Sequence, residues 1–156
     1  MIYVGIDPGK NGGVSFIGED GKSCTHVMPE TVEELYNLLK MWDEDFIIKH
    51  LVLEHAQAMP KQGVVSMFNY GYHFGQVYAA VILQKIPHTL VKPTEWQKEM
   101  FLGTSKKGFK PKQRAAEAAK RLFPTEDMKR SPKCTTQHDG KIDARLMAEF
   151  CRRRFR

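Results

Sequence analysis

The chain has 156 residues, a formal net charge of +6 and 42% hydrophobic residues, enough for a single folded domain over 1–156 that buries roughly two thirds of its unfolded surface without staples. Three scattered cysteines, Cys24, Cys134 and Cys151, exclude a disulfide framework, and neither Cys24 with His26 nor Cys134 with His138 has the second close-spaced pair that structural zinc requires. No apolar stretch approaches the roughly 20 residues needed to span a bilayer and no signal peptide is evident, so the expectation is a soluble protein of the reducing cytoplasm with no membrane partner.

The charge is unevenly spread. Residues 1–91 carry 6 Lys+Arg against 10 Asp+Glu, residues 92–133 carry 12 against 5, and residues 134–156 carry 6 against 3. A basic excess confined to the C-terminal half is what a polyanion-binding face produces, since each cation set against a phosphate releases condensed counterions. A merely solvated face would look the same by charge alone.

In chain order, residues 2–7, 13–17 and 23–28 read as strands joined by Gly-rich turns, an antiparallel meander. Thr31-Val32-Glu33-Glu34 is a capping box opening a helix to about Asp45, with Val32, Leu35, Leu38 and Leu39 on its core face. Leu51–Glu54 is a short apolar run ending in an acid. A long helix covers roughly 64–85, and a strand near Thr89–Val91 follows Pro87. Pro93 opens a short helix to about Phe101, Pro111 opens another that ends before Pro124, and the last helix runs from about Asp139 to Arg154. Residues 124–137 read as the loosest segment and 103–110 as a mobile basic loop. Neither a repeat nor a separate linker stands out. A meander followed by strands alternating with helices gives an α/β fold: a mixed five-stranded sheet, three antiparallel strands then parallel ones, flanked by helices.

Two acids close strands in this outline. Asp7 ends the first and is followed by Pro8-Gly9, an arrangement that suits either a metal-facing carboxylate or a turn residue bonded to its own loop. Glu54 ends an otherwise apolar run, where a Glu is seldom buried unless paired or bound to a cation. If that strand lies parallel to and beside the first, both carboxylates emerge at the same C-terminal sheet edge, where open sheets bind ligands. Asp139 and Asp143 stand four apart at the start of the last helix, on one face. Their mutual repulsion is reversed by a divalent cation, although Asp139 would equally serve as a cap.

Ile6-Asp7-Pro8-Gly9, the strand end Leu53-Glu54, Gly75-Gln76 in the long helix and His138-Asp139-Gly140-Lys141-Ile142-Asp143-Ala144 together resemble RuvC-type Holliday-junction resolvases of the RNase H superfamily. The match in order and spacing covers nearly the whole chain. Each motif alone is weak, and actin-like sugar kinases also open with a Gly-Ile-Asp-x-Gly hairpin, but 156 residues leave no room for their second lobe. The resemblance implies a homodimeric endonuclease that nicks four-way DNA junctions symmetrically. Its metal ligands would be Asp7, Glu54, Asp143 and a fourth acid, holding two Mg²⁺ or Mn²⁺ ions about 4 Å apart. Bacterial members place that fourth ligand at the position of Gly140; Asp139 is the natural substitute here and His138 the reserve, since hard Mg²⁺ prefers oxygen. That departure and the short chain point to a phage member. A broader branched-DNA, flap or RNA-DNA hybrid nuclease, and a non-catalytic junction binder, are the alternatives.

Resemblance also implies a catalytic lysine near the scissile phosphate, matched by Lys112. Lys92, Lys98, Lys106, Lys107, Lys110 and Arg114 are candidates for tracking backbone phosphates, which position DNA without reading it. An aromatic near the start of the long helix would wedge into the junction, Phe68 first and Tyr70 second. The same helix carries Val64, Met67, Gly71, Phe74, Gly75, Tyr78 and Ile82 at helical spacing, a stripe suited to core or dimer packing.

Overall fold

A computed structural model describes residues 1–55, 57, 63–105 and 108–156. Lys106 and Lys107, two of the candidate phosphate contacts, lie outside the described residues. The elements are β1 (Ile2–Asp7), β2 (Gly13–Gly18), β3 (Ser23–Val27), α1 (Val32–Phe46), β4 (Ile48–Glu54), α2 (Val64–Leu83), β5 (His88–Val91), α3 (Pro93–Met100), α4 (Pro111–Leu122) and α5 (Asp139–Phe155). The five strands form one sheet in the order β3-β2-β1-β4-β5. β1 and β2, and β2 and β3, pair antiparallel, whereas β4 runs parallel to both β1 and β5. The expected mixed sheet, a meander followed by parallel strands, is therefore observed.

Strand alternation assigns the two faces. Ile2, Val4 and Ile6 of β1 join Leu51 and Leu53 of β4 in a core closed by Leu35 and Leu39 of α1 and Val77, Ala80 and Val81 of α2. Tyr3 and Val52 point the other way, into a core with Trp96 of α3, Ala115 and Ala118 of α4, and Leu146, Met147 and Phe150 of α5. Asp7 and Glu54 share the parity of Tyr3 and Val52, so both belong to the α5 side of the sheet. Helix α5 lies directly on β1: a Cβ built on Gly5 would fall onto the backbone of Ala144, Met147 and Ala148. Only glycine allows so close a crossing.

Two local readings are corrected. Strand β4 begins at Ile48, three residues earlier than its apolar run, because Ile48 pairs with Ile2 across a register shift while Lys49 and His50 interrupt the hydrophobic pattern. Ile47, at φ 61°, turns the chain straight out of α1. The segment 124–137 is tied down rather than loose. Arg145, 2% exposed, makes two 2.8 Å hydrogen bonds to the Glu126 carboxylate and stacks over the Phe123 ring at 3.6 Å. Met128 is buried, its amide donates to Gln137 Oε1, and its carbonyl accepts from the His138 amide.

Candidate active site

The parallel register sets Ile6 of β1 opposite Leu53 of β4, so Asp7 and Glu54 leave adjacent strands at the same end. Asp143, one turn into α5, is brought against them by the close α5–β1 crossing. Asp7, Glu54 and Asp143 are each partly buried, and each carboxyl is raised above its ordinary value. Burial is the main cause in all three. For Glu54, pushed up to about 7, the Asp7 charge adds to it, against the lowering effect of a hydrogen bond from Trp96. For Asp143, pushed up to about 8, the charges of Asp7, Glu54 and Asp139 add to burial. Asp7 is raised by burial despite its 3.2 Å hydrogen bond from the Gly9 amide and the nearby Lys112. Glu54 thus feels the charge of Asp7, and Asp143 the charges of Asp7, Glu54 and Asp139, as acids brought to one end of the sheet do.

Trp96 is 1% exposed and donates from Nε1 to Glu54 Oε2 at 2.7 Å, fixing the rotamer of that acid. Asp139, the first residue of α5, is exposed and accepts from Lys112 Nζ at 2.8 Å. That contact places Lys112, on the first turn of α4, beside the acids. His138 caps α5: its Nδ1 accepts from the Lys141 amide at 3.2 Å. A neutral imidazole accepting at Nδ1 carries its proton on Nε2 and is a donor there, which leaves Asp139 the better-placed fourth oxygen. Position 140 is closed to any side chain, since a Cβ there would meet the backbone of Asn11 and Gly12. The β1–β2 turn thus occupies the space a ligand at 140 would need.

Among the described residues, no three His, Cys, Asp or Glu side chains are already gathered into a group that could hold a metal ion. The donor set nevertheless fits one. Asp7, Glu54 and Asp143 are raised by burial and by neighbouring acidic charge, with Asp139 and Lys112 beside them, and a hard divalent cation relieves such repulsion while accepting oxygen ligands. A cavity of about 520 Å³ opens here, lined by Asp7, Lys112, Arg130, His138, Asp139 and Asp143 among others.

The other candidates are spread around this centre. Tyr70 is half-buried, with its hydroxyl pushed up to about 12 by burial and by the nearby charges of Glu54 and Asp7. Phe68 is 72% exposed and stacks on Tyr72. Lys92, Lys98 and Lys110 are exposed. Arg114 is turned inward, donating to Thr104 Oγ1 at 3.1 Å and lying over the Phe101 ring at 4.9 Å. The exposed apolar face of α2 runs through Val65, Phe68, Tyr72, Ile82 and Leu83, offset from the expected stripe because Phe74 and Tyr78 pack on the protein's own core.

No family model matches the sequence, and no curated protein matches it. Solved structures do. The RuvC of Thermus thermophilus in complex with a Holliday junction substrate aligns with a TM-score of 0.59 at 16% identity, over 95% of this chain and 90% of that one. A second Thermus thermophilus RuvC structure gives 0.57 at 17%, over 95% and 91%. The chain has the RuvC fold. The yeast mitochondrial Holliday junction resolvase Ydc2 shares it, with a TM-score of 0.53 at 14% identity over 97% of this chain and 77% of that one. On this RuvC fold, sequence reasoning missed Trp96 and Arg130, which approach the acids from positions remote in the chain. Helical spacing marked neither, because each contact depends on tertiary packing.

Proposed function

We propose that the chain is a metal-dependent, structure-selective DNA endonuclease that resolves four-way junctions by paired symmetric nicks. The observation that carries this reading is the convergence of Asp7, Glu54 and Asp143 at one sheet edge with their charges uncompensated. Support comes from the fold shared with RuvC and from the basic balance of residues 92–156. Asp7, Glu54, Asp139 and Asp143 would hold two Mg²⁺ or Mn²⁺ ions, which when bound activate water and stabilise the leaving oxygen. Trp96 keeps Glu54 aimed at the centre and His138 holds the first turn of α5. Lys112, bonded to Asp139 in the free protein, would turn to a phosphate oxygen once that acid is engaged elsewhere. Lys92, Lys98 and Lys110 would track the backbone, and exposed Phe68 would wedge into the junction, where stacking one base contributes about 1 to 3 kcal/mol. Paired nicks need two equivalent sites, and the exposed apolar face of α2 beyond Phe68, through Ile82 and Leu83, is the surface on which a second copy would pack.

The test is cleavage of an immobile four-way junction, labelled on each strand in turn, by wild type and Asp7→Asn in Mg²⁺ and in Ca²⁺. Symmetric nicks that require both Mg²⁺ and Asp7 are expected. Equal cutting of flaps and forks would replace the reading by a broader branched-DNA nuclease. Tight binding with no Asp7-dependent cutting of any branched DNA would leave a binding module.

A further inference from the structure

The connection between α4 and α5 is a strap fixed at several points, and it carries one cation to a particular place. Glu126 is bonded to buried Arg145, Met128 is buried, Lys129 bridges Gln137 in antiparallel fashion, and Lys141 Nζ donates to the Lys129 carbonyl at 2.9 Å. The next residue, Arg130, therefore follows directly on a backbone position, Lys129, held by both Gln137 and Lys141. Its side chain lines the acid cavity with Asp7, Asp139 and Asp143. It also lines a second groove of about 680 Å³ with Lys10, Glu30, Asn69, Tyr70 and His73. Arg130 makes no ion pair among the described residues, although its charge is close enough to help lower His138.

An exposed guanidinium that shares a cavity with three carboxylates and makes no ion pair with them is poised for another anion. The second groove holds one acid, Glu30, against groups suited to a nucleic-acid strand: Lys10 and Arg130 offer charge, Asn69 offers amide donors, Tyr70 a ring face, and His73 a buried Nε2 with no hydrogen-bond partner among the described residues. We infer that Arg130 clamps a phosphate flanking the scissile one, so that the cut strand runs from the acid centre under Arg130 into the groove beside Tyr70 and His73. This rests on the nuclease reading above. Arginine suits the role because its planar fork bonds two phosphate oxygens at once, fixing orientation as well as charge.

The experiment measures single-turnover cleavage of the four-way junction in Mg²⁺ and junction binding in Ca²⁺ for wild type, Arg130→Ala, Arg130→Lys and Lys133→Ala. Lys133 is an exposed cation of the same strap that lines neither cavity. Arg130→Ala is expected to slow cleavage by about 10- to 100-fold with a smaller loss of binding, because a misplaced phosphate costs more in rate than in affinity. Arg130→Lys restores part of that rate, and Lys133→Ala stays within about twofold of wild type, as a cation that only adds general attraction does. Replacing the flanking phosphates one at a time by neutral methylphosphonates should identify one at which the Arg130→Ala defect disappears, the coupling expected of direct partners. Cleavage by Arg130→Ala at the wild-type rate, a defect no larger than that of Lys133→Ala, or a defect unchanged on every methylphosphonate substrate overturns the clamp while leaving the nuclease reading intact. A wild type that neither binds nor cuts branched DNA removes both.

Discussion

Helix α5 treats buried charge in two ways along its length. In its C-terminal half, Glu149 is 5% exposed and takes hydrogen bonds from Arg152 and Arg153; burial pushes its carboxyl up, and the two guanidiniums outweigh that and hold it below its ordinary value. Arg145 in the middle is matched by Glu126 in the same fashion. One turn into the helix, Asp143 makes no ion pair among the described residues and is surrounded by other acids. Charges that only build the fold are neutralised within it, because an unpaired buried charge destabilises. Acids left to repel one another are the part of the molecule that stability does not explain.

The contrast breaks most visibly at its two ends. Asp143→Asn should abolish junction cleavage, a loss of more than about 100-fold, and should raise the melting temperature of the metal-free protein at pH 8. Glu149→Gln should cut normally and lose about 1 kcal/mol of stability, since it weakens hydrogen bonds to charged partners. The pH dependence follows from the same carboxyls. The folded values of Glu54 and Asp143, about 7 and about 8, lie above the ordinary 4.5 and 3.8, so the folded protein holds protons that the unfolded chain has released. Stability from these groups is complete below the ordinary values and declines as pH rises through about 5 to 8. Metal-free melting should therefore fall across that window, Mg²⁺ should raise it more at pH 8 than at pH 6, and Asp143→Asn should flatten the decline. A metal-free melting temperature that climbs from pH 5 to 8 would mean the acids are not facing one another.

Next in size is the position where the chain departs from the resolvase pattern. A Cβ at 140 meets the backbone of the β1–β2 turn, so Gly140→Ala should cost about 2 to 3 kcal/mol and lower cleavage by shifting Asp143 with its helix. Gly140→Asp should be worse, although it restores the residue type seen in the family the motifs resemble. Thermal melting beside cleavage assays decides this. A Gly140→Asp protein that melts and cuts like wild type would show that the turn yields easily and that Asp139 is not the needed substitute.

Much of this architecture was legible from local signals. The alternation of Ile2, Val4 and Ile6, the capping box at Thr31 and the proline-initiated helices α3 and α4 each report on a few neighbouring residues, and the elements they mark are observed. Asp7 and Glu54 were legible as a pair because both end apolar runs and strand parity does the rest. The tie of Arg145 to Glu126 was hidden, since an Arg on a helix reads as surface unless its partner 19 residues away is known. The start of β4 was hidden by Lys49 and His50, whose strand pairing depends on register with β1. Arg130 stood among many cations in residues 92–133 with nothing local to single it out.

Trp96 belongs to the same class of hidden residue, and its loss should cost less activity than the loss of Asp143. Its indole is 42 positions from Glu54 in sequence and 2.7 Å from it in space. Trp96→Phe keeps an aromatic ring in the pocket against Phe101 but removes the donor. Support of this indirect kind is worth about 10- to 100-fold in activity or metal affinity, and the lost hydrogen bond with a small void should cost about 1 to 3 kcal/mol. Stability alone would not move the pH profile, whereas a positioning role would. The bond lowers the Glu54 carboxyl, so its removal lets burial and Asp7 push that carboxyl higher, and the rise of cleavage with pH should move to more alkaline values. The Mg²⁺ concentration for half-maximal cutting should increase with it. A variant whose loss simply follows its melting temperature, with both profiles unmoved, would make Trp96 a core residue that happens to touch the acid.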